Sequence, residues 1–126
     1  MEKIVIATKN APGAIGPYSQ GIKANGFIFI SGQMPLDPST GEFAEGGIEN
    51  QTKQVLLNVK NILEAAGSEI DKVVKTTVFL KDIADFAAMN GVYSEFFKKD
   101  SPARSAFQVV ALPKDAALEI EVIALA

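Results

Sequence analysis

The chain contains 126 residues, of which 48% are hydrophobic and 21% are charged, and its formal net charge is −3. This length and composition indicate one globular domain over residues 1–126, large enough to bury a hydrophobic core. No apolar run is long enough to cross a membrane, and the N-terminal residues lack the apolar stretch of a signal peptide. We therefore predict a cytoplasmic protein that does not bind a membrane.

The sequence contains neither cysteine nor histidine. Their absence excludes disulfides, thiolate nucleophiles, imidazole bases and the usual ligands of zinc. The net charge is negative and the longest lysine block is Lys98-Lys99, so we expect no nucleic-acid partner, because nucleic acids bind clustered cations. Asp82 and Asp85 are interpreted as acids at the start of a helix, and no metal site is predicted. Any chemistry must therefore use carboxylate, hydroxyl, amide, lysine, arginine or backbone groups.

Short alternating runs in the N-terminal part predict three β-strands. They lie at residues 3–7, 21–24 and 27–32. Asn25-Gly26, between the second and third strands, is a dipeptide that favours a tight hairpin. The third strand is apolar on both faces, which predicts a central place in the sheet. Loops rich in glycine and proline occupy residues 11–17 and 35–47.

Two helices are predicted between the later strands. From Ile48 to Ala66 apolar residues recur at helical spacing, and Gly67 marks the C-terminal end. The β-branched run 72–80 predicts a strand, after which Asp82 is a suitable N-cap for a second helix. Five apolar residues share one face of that helix: Phe86, Met89, Tyr93, Phe96 and Phe97.

Two last strands follow Pro102, one containing Arg104 and one over residues 118–125. The whole pattern is a β-hairpin, a βαβαβ unit and a final strand, in which both helices cover one face of the sheet. On the final strand the other face carries a mixture of acidic and apolar residues, namely Glu119, Glu121, Ile123 and Leu125. A face of this kind suits a subunit interface that contains a polar pocket, so we predict a homo-oligomer.

Arg104 is the only arginine, although the chain contains eleven lysines. Since lysine supplies positive charge elsewhere, an arginine at one position indicates a need for its planar fork of donors. A carboxylate is the simplest partner for such a fork. The residues alone leave a second interpretation open, which is an ordinary surface arginine at the start of a strand.

Five segments resemble, in the same order, the signatures of the YjgF/RidA family of reactive-intermediate deaminases. They are residues 14–20 (Ala-Ile-Gly-Pro-Tyr-Ser-Gln), 29–33 (Phe-Ile-Ser-Gly-Gln), 102–105 (Pro-Ala-Arg-Ser), 112–115 (Leu-Pro-Lys-Asp) and 119–121 (Glu-Ile-Glu). The resemblance covers essentially the whole chain. Several separate motifs in one order are far more specific than any single pattern, and they favour a functional role for Arg104.

The resemblance implies a chorismate-mutase-like α+β fold, with a mixed β-sheet and two helices packed on one face. It also implies a homotrimer whose sheets form an inner barrel and whose clefts lie between subunits. Family members hydrolyse the short-lived enamines and imines that pyridoxal-phosphate-dependent serine and threonine dehydratases release, such as 2-aminoacrylate, 2-iminopropanoate and 2-iminobutanoate. The products are 2-oxo acids and ammonia, and no cofactor is expected.

The resemblance also implies roles for individual residues. Arg104 is expected to hold the substrate carboxylate, and Glu119 to orient or deprotonate the attacking water. The other expected contacts with the substrate are Tyr18, Ser31, Gly32, Asn90 and the backbone at Ala106. Arg104 and Glu119 both lie on strand faces of mixed polarity, so we expect them to point into one cleft. Glu121, two residues farther on the same strand face, is the competing glutamate.

Two functions of different classes stay open. The favoured one is the hydrolysis of imines. The other is a non-catalytic regulator that binds carboxylate metabolites through the same arginine. Proteins of this fold have also been credited with RNA cleavage or inhibition of translation, against which the negative charge argues. Ala106 occupies a place where many family members have a cysteine, which excludes any thiol-dependent role.

Overall fold

The chain folds into six strands and two α-helices, and the structure, a computed structural model, describes residues 2–126. In chain order the elements are β1 (Ile4–Ile6), β2 (Gly21–Ala24), β3 (Phe27–Gln33), α1 (Ile48–Ala65), β4 (Val73–Leu80), α2 (Phe86–Phe96), β5 (Ala103–Gln108) and β6 (Leu118–Leu125). Each of them lies where the sequence predicts it, with ends that differ by a few residues.

The strands form one mixed sheet in the order β1-β2-β3-β6-β4-β5. β4 and β5 run parallel, and the other neighbouring strands are antiparallel. The last strand, β6, lies between β3 and β4, so α1 carries the chain across it. This arrangement confirms the predicted α+β class with a mixed sheet and two helices.

The hairpin between β2 and β3 turns at Asn25-Gly26, as predicted. Both residues have a positive φ, 51° for Asn25 and 81° for Gly26, which is the requirement of a type I′ turn. The two-residue loop sets the register of the strands, with Ala24 opposite Phe27. The turn therefore determines which residues of β3 face the core.

Both helices pack on one face of the sheet, which we call the helix face, while the other face, the open face, is uncovered. Ile28 and Ile30 of β3 are buried on the helix face, as are Ile120 and Val122 of β6. Large apolar side chains exposed on the open face are Phe27, Phe29, Phe107 and Leu125. β3 is an interior strand, as predicted, and on its open face Phe29 is 45% exposed.

α1 buries a stripe of apolar residues at helical spacing. Its members are Val55, Leu56, Val59, Ile62 and Leu63. The helix ends at Ala65, and Gly67 follows with a φ of 81° and an N–H that donates to the Glu64 carbonyl oxygen at 3.0 Å. This is the predicted glycine ending, since glycine adopts a positive φ without strain. Within residues 2–126 neither helix is both long and apolar enough to span a membrane.

α2 begins later than predicted. The Asp82 side chain accepts from the Ala84 N–H at 2.9 Å and so begins a short 3₁₀ turn, Ile83–Asp85, rather than the helix itself. α2 starts at Phe86, after that turn. Its inward face buries Met89 and Tyr93 against the same core as α1, and the predicted apolar face is confirmed.

The loop between β3 and α1 is anchored by Asn58, a fully buried side chain of α1. Its Nδ2 donates to the carbonyl oxygens of Met34 at 3.2 Å and Leu36 at 2.9 Å. Its Oδ1 accepts from the Gln54 amide at 3.0 Å. Because an unpaired buried carbonyl costs free energy, this one side chain constrains the path of the loop.

We expect Asn58→Ala to lower the free energy of unfolding by about 2 to 4 kcal/mol, because it opens a small cavity and leaves two carbonyl groups unpaired. Asn61→Ala is the matched control, since Asn61 donates to the Asn10 carbonyl oxygen at an exposed site, and its loss should stay within about 0.5 kcal/mol. Urea denaturation at one fixed protein concentration measures both. Equal losses would contradict the structural role of Asn58.

Candidate active site

Arg104 lies on β5 with its side chain on the helix face of the sheet. β5 pairs with β4 so that Arg104 is opposite Thr76, which is fully buried on that face. The guanidinium Nη1 donates to Asn90 Oδ1 of α2 at 2.7 Å. Two aromatic rings adjoin it, because Arg104 Cζ lies 4.7 Å from the ring centroid of Tyr93 and 5.5 Å from that of Phe86. α2 therefore holds the arginine through one hydrogen bond and two rings.

The half-buried guanidinium of Arg104 has no carboxylate partner among residues 2–126. The one ion pair in that range joins Lys81 and Asp115 at 2.9 Å on the surface. Asn90 is a neutral amide, so it orients the fork without neutralising its charge. Ala106 follows on the same side of β5, half-buried and without a polar side chain. A partly buried cation without a counter-charge favours an incoming anion, and the fork of N–H donors suits a carboxylate.

Glu119 lies on β6 with its side chain on the open face, because its neighbours Leu118 and Ile120 are buried on the helix face. It borders an open cavity of about 370 Å³. The residues lining that cavity are Ile15, Tyr18, Ser31, Gly32, Met34, Pro113 and Glu119. A Cβ atom at Gly32 would overlap Glu119 Oε1, so only glycine leaves room for the carboxylate in this wall.

Burial raises the pKa of Glu119 above its usual value, and the negative charge of Glu121 raises it further. Glu121 is exposed on the same strand face and does not line the cavity. A carboxylate with a raised pKa is a stronger base than an ordinary one. Of the two glutamates, Glu119 therefore has the location and basicity that suit a general base.

Tyr18 and Ser31 are held by backbone groups of the loop before β2. The Tyr18 hydroxyl oxygen accepts from the Ile15 N–H at 3.4 Å, and the residue is 47% exposed. The Ser31 hydroxyl donates to the Ser19 carbonyl oxygen at 2.6 Å. The proton of Ser31 is thus committed within the chain, whereas the Tyr18 hydroxyl keeps its proton available to a ligand.

The expected site residues fall into two groups on opposite faces of the sheet. On the helix face are Asn90, Arg104 and Ala106, and around the open-face cavity are Tyr18, Ser31, Gly32 and Glu119. The expectation that Arg104 and Glu119 point into one cleft is therefore wrong for a single chain. The reason is strand register. Arg104 aligns with Thr76 on β4, and Thr76 aligns with the buried Val122 on β6, so all three side chains lie on the helix face. Glu119 is three residues from Val122 on β6, so its side chain points to the opposite face.

Three residues that organise these groups were not among the predicted site residues. Tyr93 and Phe86 were predicted as core residues, and their contact with Arg104 was missed. The spacing of Asn90 and Tyr93, three apart on a helix, is the signal that places both on one side. Gln20 is buried, and its Nε2 donates to three carbonyl groups of residues 8–12 at 2.8 to 3.2 Å, which fixes the loop that carries Tyr18.

The two groups together offer three chemical functions. The helix-face group has a cationic fork for a carboxylate, and the open-face group has a basic carboxylate and a free phenolic hydroxyl. No cluster of three or more acidic side chains in residues 2–126 is close enough to hold a metal ion. The arrangement therefore suits acid–base chemistry on a small carboxylate.

Comparison with known proteins gives concordant matches. Residues 8–126 match the family model described as Endoribonuclease L-PSP. A RutC family protein of Pyrococcus horikoshii is 59% identical over 122 residues, which are 97% of each chain. The 2-iminobutanoate/2-iminopropanoate deaminase of Homo sapiens is 51% identical over 121 residues, 96% of this chain and 88% of the human protein. The structure of E. coli TdcF with bound serine is 46% identical, covers 98% of both chains and has a TM-score of 0.93.

We expect Glu121→Gln to lower the pKa of Glu119 toward its usual value, since the substitution removes a neighbouring negative charge and leaves the burial unchanged. Glu64→Gln, which neutralises an exposed glutamate of α1, is the matched control and should leave that pKa as it is. NMR titration of the Glu119 side-chain carboxyl carbon measures both. Identical titration curves in the two variants would contradict the role assigned to Glu121.

Proposed function

This chain belongs to the YjgF/RidA family, and from that premise we propose that it hydrolyses reactive enamines and imines to 2-oxo acids and ammonia. The substrates would be 2-aminoacrylate, 2-iminopropanoate and 2-iminobutanoate, and the name of the human relative includes the last two. The observation that carries the proposal is the half-buried Arg104 guanidinium, which has no carboxylate partner in the described part of its own chain. An imino acid has one carboxylate for this fork and one electrophilic C=N carbon for a base-activated water.

Arg104 binds the substrate carboxylate through two parallel N–H donors. Asn90 keeps the fork in place by accepting from Nη1. Because Asn90 is neutral, the positive charge stays available to the substrate. The backbone carbonyl oxygen of Ala106, two residues from Arg104 on β5, accepts a hydrogen bond from the substrate N–H. The C=N carbon is bonded directly to the carboxylate, so a fork that holds the carboxylate also positions that carbon for attack.

Glu119 takes a proton from water while the water oxygen attacks the C=N carbon and the C=N electron pair moves to nitrogen. The tetrahedral adduct then receives this proton from Glu119 on its nitrogen, the C–N bond breaks, and ammonia leaves. As the C=O bond forms, the Glu119 carboxylate takes the hydroxyl proton of the adduct and later releases it to solvent. Tyr18, whose hydroxyl proton is free, donates to the oxygen of the adduct. Because an iminium carbon is already strongly electrophilic, a metal, a cofactor or a covalent nucleophile is not required.

Two copies of the chain are needed to complete such a site. Arg104 and Glu119 lie on opposite faces of one sheet, so the fork of one copy must meet the base of another. The open face that contains Glu119 also exposes Phe27, Phe29, Phe107 and Leu125. Side chains of this kind favour burial against a second copy. The cleft therefore lies between subunits.

The assembly we propose is a homotrimer in which the open faces line an inner barrel. When two different patches of one chain pair with each other, the contact is heterologous, and a closed ring of three copies satisfies every patch. Each ring then contains three equivalent clefts, each with one Arg104 and one Glu119. We place this trimer in the cytoplasm, with small 2-imino and 2-enamino carboxylates as its ligands and without a nucleic-acid or membrane partner.

A coupled assay separates hydrolysis from the alternative of a carboxylate-binding regulator. The purified protein is added to a serine or threonine dehydratase reaction, and the release of the 2-oxo acid is timed. An imine hydrolase shortens the delay before release in proportion to its concentration. A regulator binds 2-oxobutanoate in a calorimetric titration but leaves the delay unchanged, and that pair of results would overturn the proposed activity.

We expect Arg104→Lys to reduce kcat/KM in this assay by roughly ten- to hundredfold, because it removes one charge-assisted hydrogen bond worth about 1.5 to 3 kcal/mol. The positive charge is kept, so the variant tests the geometry of the fork rather than its charge. The thermal midpoint should change little. Near-normal hydrolysis with a lowered midpoint would assign Arg104 a structural role instead.

A mixing experiment tests whether the cleft combines two copies. Glu119→Gln keeps the shape of the side chain but removes the base, and Arg104→Lys weakens the carboxylate fork, so each variant alone should keep at most about a tenth of the original activity. After the two are unfolded together and refolded at equal amounts, about one cleft in four has both residues intact, and activity should recover to about a quarter of the original.

The control for this experiment is the same two variants refolded apart and then combined. A site contained within one chain predicts no recovery in either sample. Sedimentation equilibrium on the unsubstituted protein supplies the second measurement. A monomer at micromolar concentration would overturn the trimer, whatever the mixing experiment gives.

A further inference from the structure

We propose that Tyr93 is a positioning residue for the carboxylate fork, in which its ring orients the Arg104 guanidinium and its hydroxyl, bonded to Thr76, holds the ring. This inference rests on the proposed function of Arg104 and adds the residues that give the fork its direction. Neither Tyr93 nor Thr76 contacts the substrate in this proposal. Both act through the arginine.

The ring of Tyr93 is the nearer of the two aromatic neighbours of the guanidinium. Arg104 Cζ lies 4.7 Å from its centroid, against 5.5 Å for Phe86. A planar cation at this distance from an aromatic face is attracted by it. Asn90, three residues before Tyr93 on α2, binds Nη1 of the same guanidinium. One side of α2 therefore supplies both the ring and the hydrogen-bond acceptor.

Thr76 ties Tyr93 to the strand beside Arg104. The two hydroxyl oxygens lie 2.7 Å apart, and the hydrogen bond between them is buried. Thr76 is on β4 in register with Arg104 on β5. Thr76 on β4 therefore bonds to Tyr93, the Tyr93 ring contacts the Arg104 guanidinium, and Arg104 lies beside Thr76 on β5. The ring cannot tilt away from Arg104 without breaking this buried hydrogen bond.

The hydrogen bond between the Tyr93 and Thr76 hydroxyls orients the Tyr93 ring, and neither hydroxyl is needed to fill the core. Tyr93 is 6% exposed and Thr76 fully buried, and a phenylalanine and a valine would fill the same space. Burial raises the pKa of Tyr93 above its usual value, while the hydrogen bond of Thr76 and the charge of Arg104 act in the opposite sense. The phenol therefore stays protonated at neutral pH and takes no part in proton transfer. Its remaining contribution is to hold the ring in place.

An arginine side chain loses rotational freedom when it binds a carboxylate. A guanidinium that is already oriented loses less of this freedom when the carboxylate binds. The Tyr93 ring and the Asn90 amide therefore strengthen carboxylate binding by preorganisation. The carboxylate is held in the same way in the ground state and in the transition state. Loss of the ring should therefore raise KM and the Kd of carboxylate ligands, with little change in kcat.

Tyr93→Leu removes the ring. Phe96→Leu is its matched control, because Phe96 is a half-buried aromatic residue of the same helix whose ring does not adjoin the Arg104 guanidinium. Titration calorimetry with 2-oxobutanoate measures binding, and the dehydratase assay measures KM and kcat. We expect Tyr93→Leu to raise Kd and KM by about tenfold, within the about two- to thirtyfold range of a cation–π contact. Phe96→Leu should leave both unchanged.

A double-mutant cycle with Arg104→Lys distinguishes positioning from a general structural effect. If Tyr93 acts through the guanidinium, Tyr93→Leu should weaken 2-oxobutanoate binding much less in the Arg104→Lys background than in the original protein. Equal effects in both backgrounds would overturn the inference. If Arg104→Lys itself binds 2-oxobutanoate normally, the proposed function fails. If it binds weakly while Tyr93→Leu binds normally, only the role of Tyr93 fails.

Tyr93→Phe and Thr76→Val provide a second route that keeps the packing and decides the inference if Tyr93→Leu does not fold. Each removes one hydroxyl of the same hydrogen bond. We expect each to raise the Kd of 2-oxobutanoate by about two- to fivefold, with no further loss when they are combined. Unchanged binding in both variants, or losses that persist in the Arg104→Lys background, would show that the pair does not orient the fork.

Discussion

Neighbouring residues of a β-strand point to opposite faces of its sheet, and this alternation governs how the active site can be built. Arg104 aligns with the buried Thr76, whereas Glu119 lies between the buried residues Leu118 and Ile120. Arg104 and Glu119 therefore lie on opposite sides of the sheet in any one copy. No rotation of side chains brings them together, so a catalytic centre that uses both has to combine two copies.

Each half of the proposed cleft holds a charge that residues 2–126 of its own chain leave without an opposite charge. Arg104 is bound by the neutral Asn90, and the charge that acts on Glu119 is that of Glu121, which repels it. An iminium carboxylate carries a negative carboxylate and a positive nitrogen on adjacent carbon atoms. It therefore matches both halves at once, and the partly desolvated environment strengthens both attractions. Gly32 belongs to the same arrangement, because a side chain there would displace the Glu119 carboxylate.

Most of the fold can be predicted because hydrophobic spacing reports local geometry. The helical spacing from Ile48 and the alternation over residues 118–125 correspond to α1 and β6. Spacing does not report which face of one strand matches which face of another. β5 is an edge strand without a fully buried residue, so its composition does not show on which side Arg104 lies. Asn58 and Gln20 organise loops through partners distant in sequence, which no local pattern records. The roles that the family resemblance implies stay predictions.

A cleft made from two copies links substrate binding to assembly. If neither half alone holds the substrate, each bound molecule stabilises the trimer relative to the separate chains. A reactive imine is short-lived and scarce, however, so it cannot be the main source of that stability. The open face offers a source that does not depend on substrate, because burial of exposed rings such as Phe29 and Phe107 contributes about 25 cal/mol per Å². In the trimer that we propose, burial of this apolar face maintains the assembly, and the charged residues of the cleft can await a substrate without having to hold the subunits together.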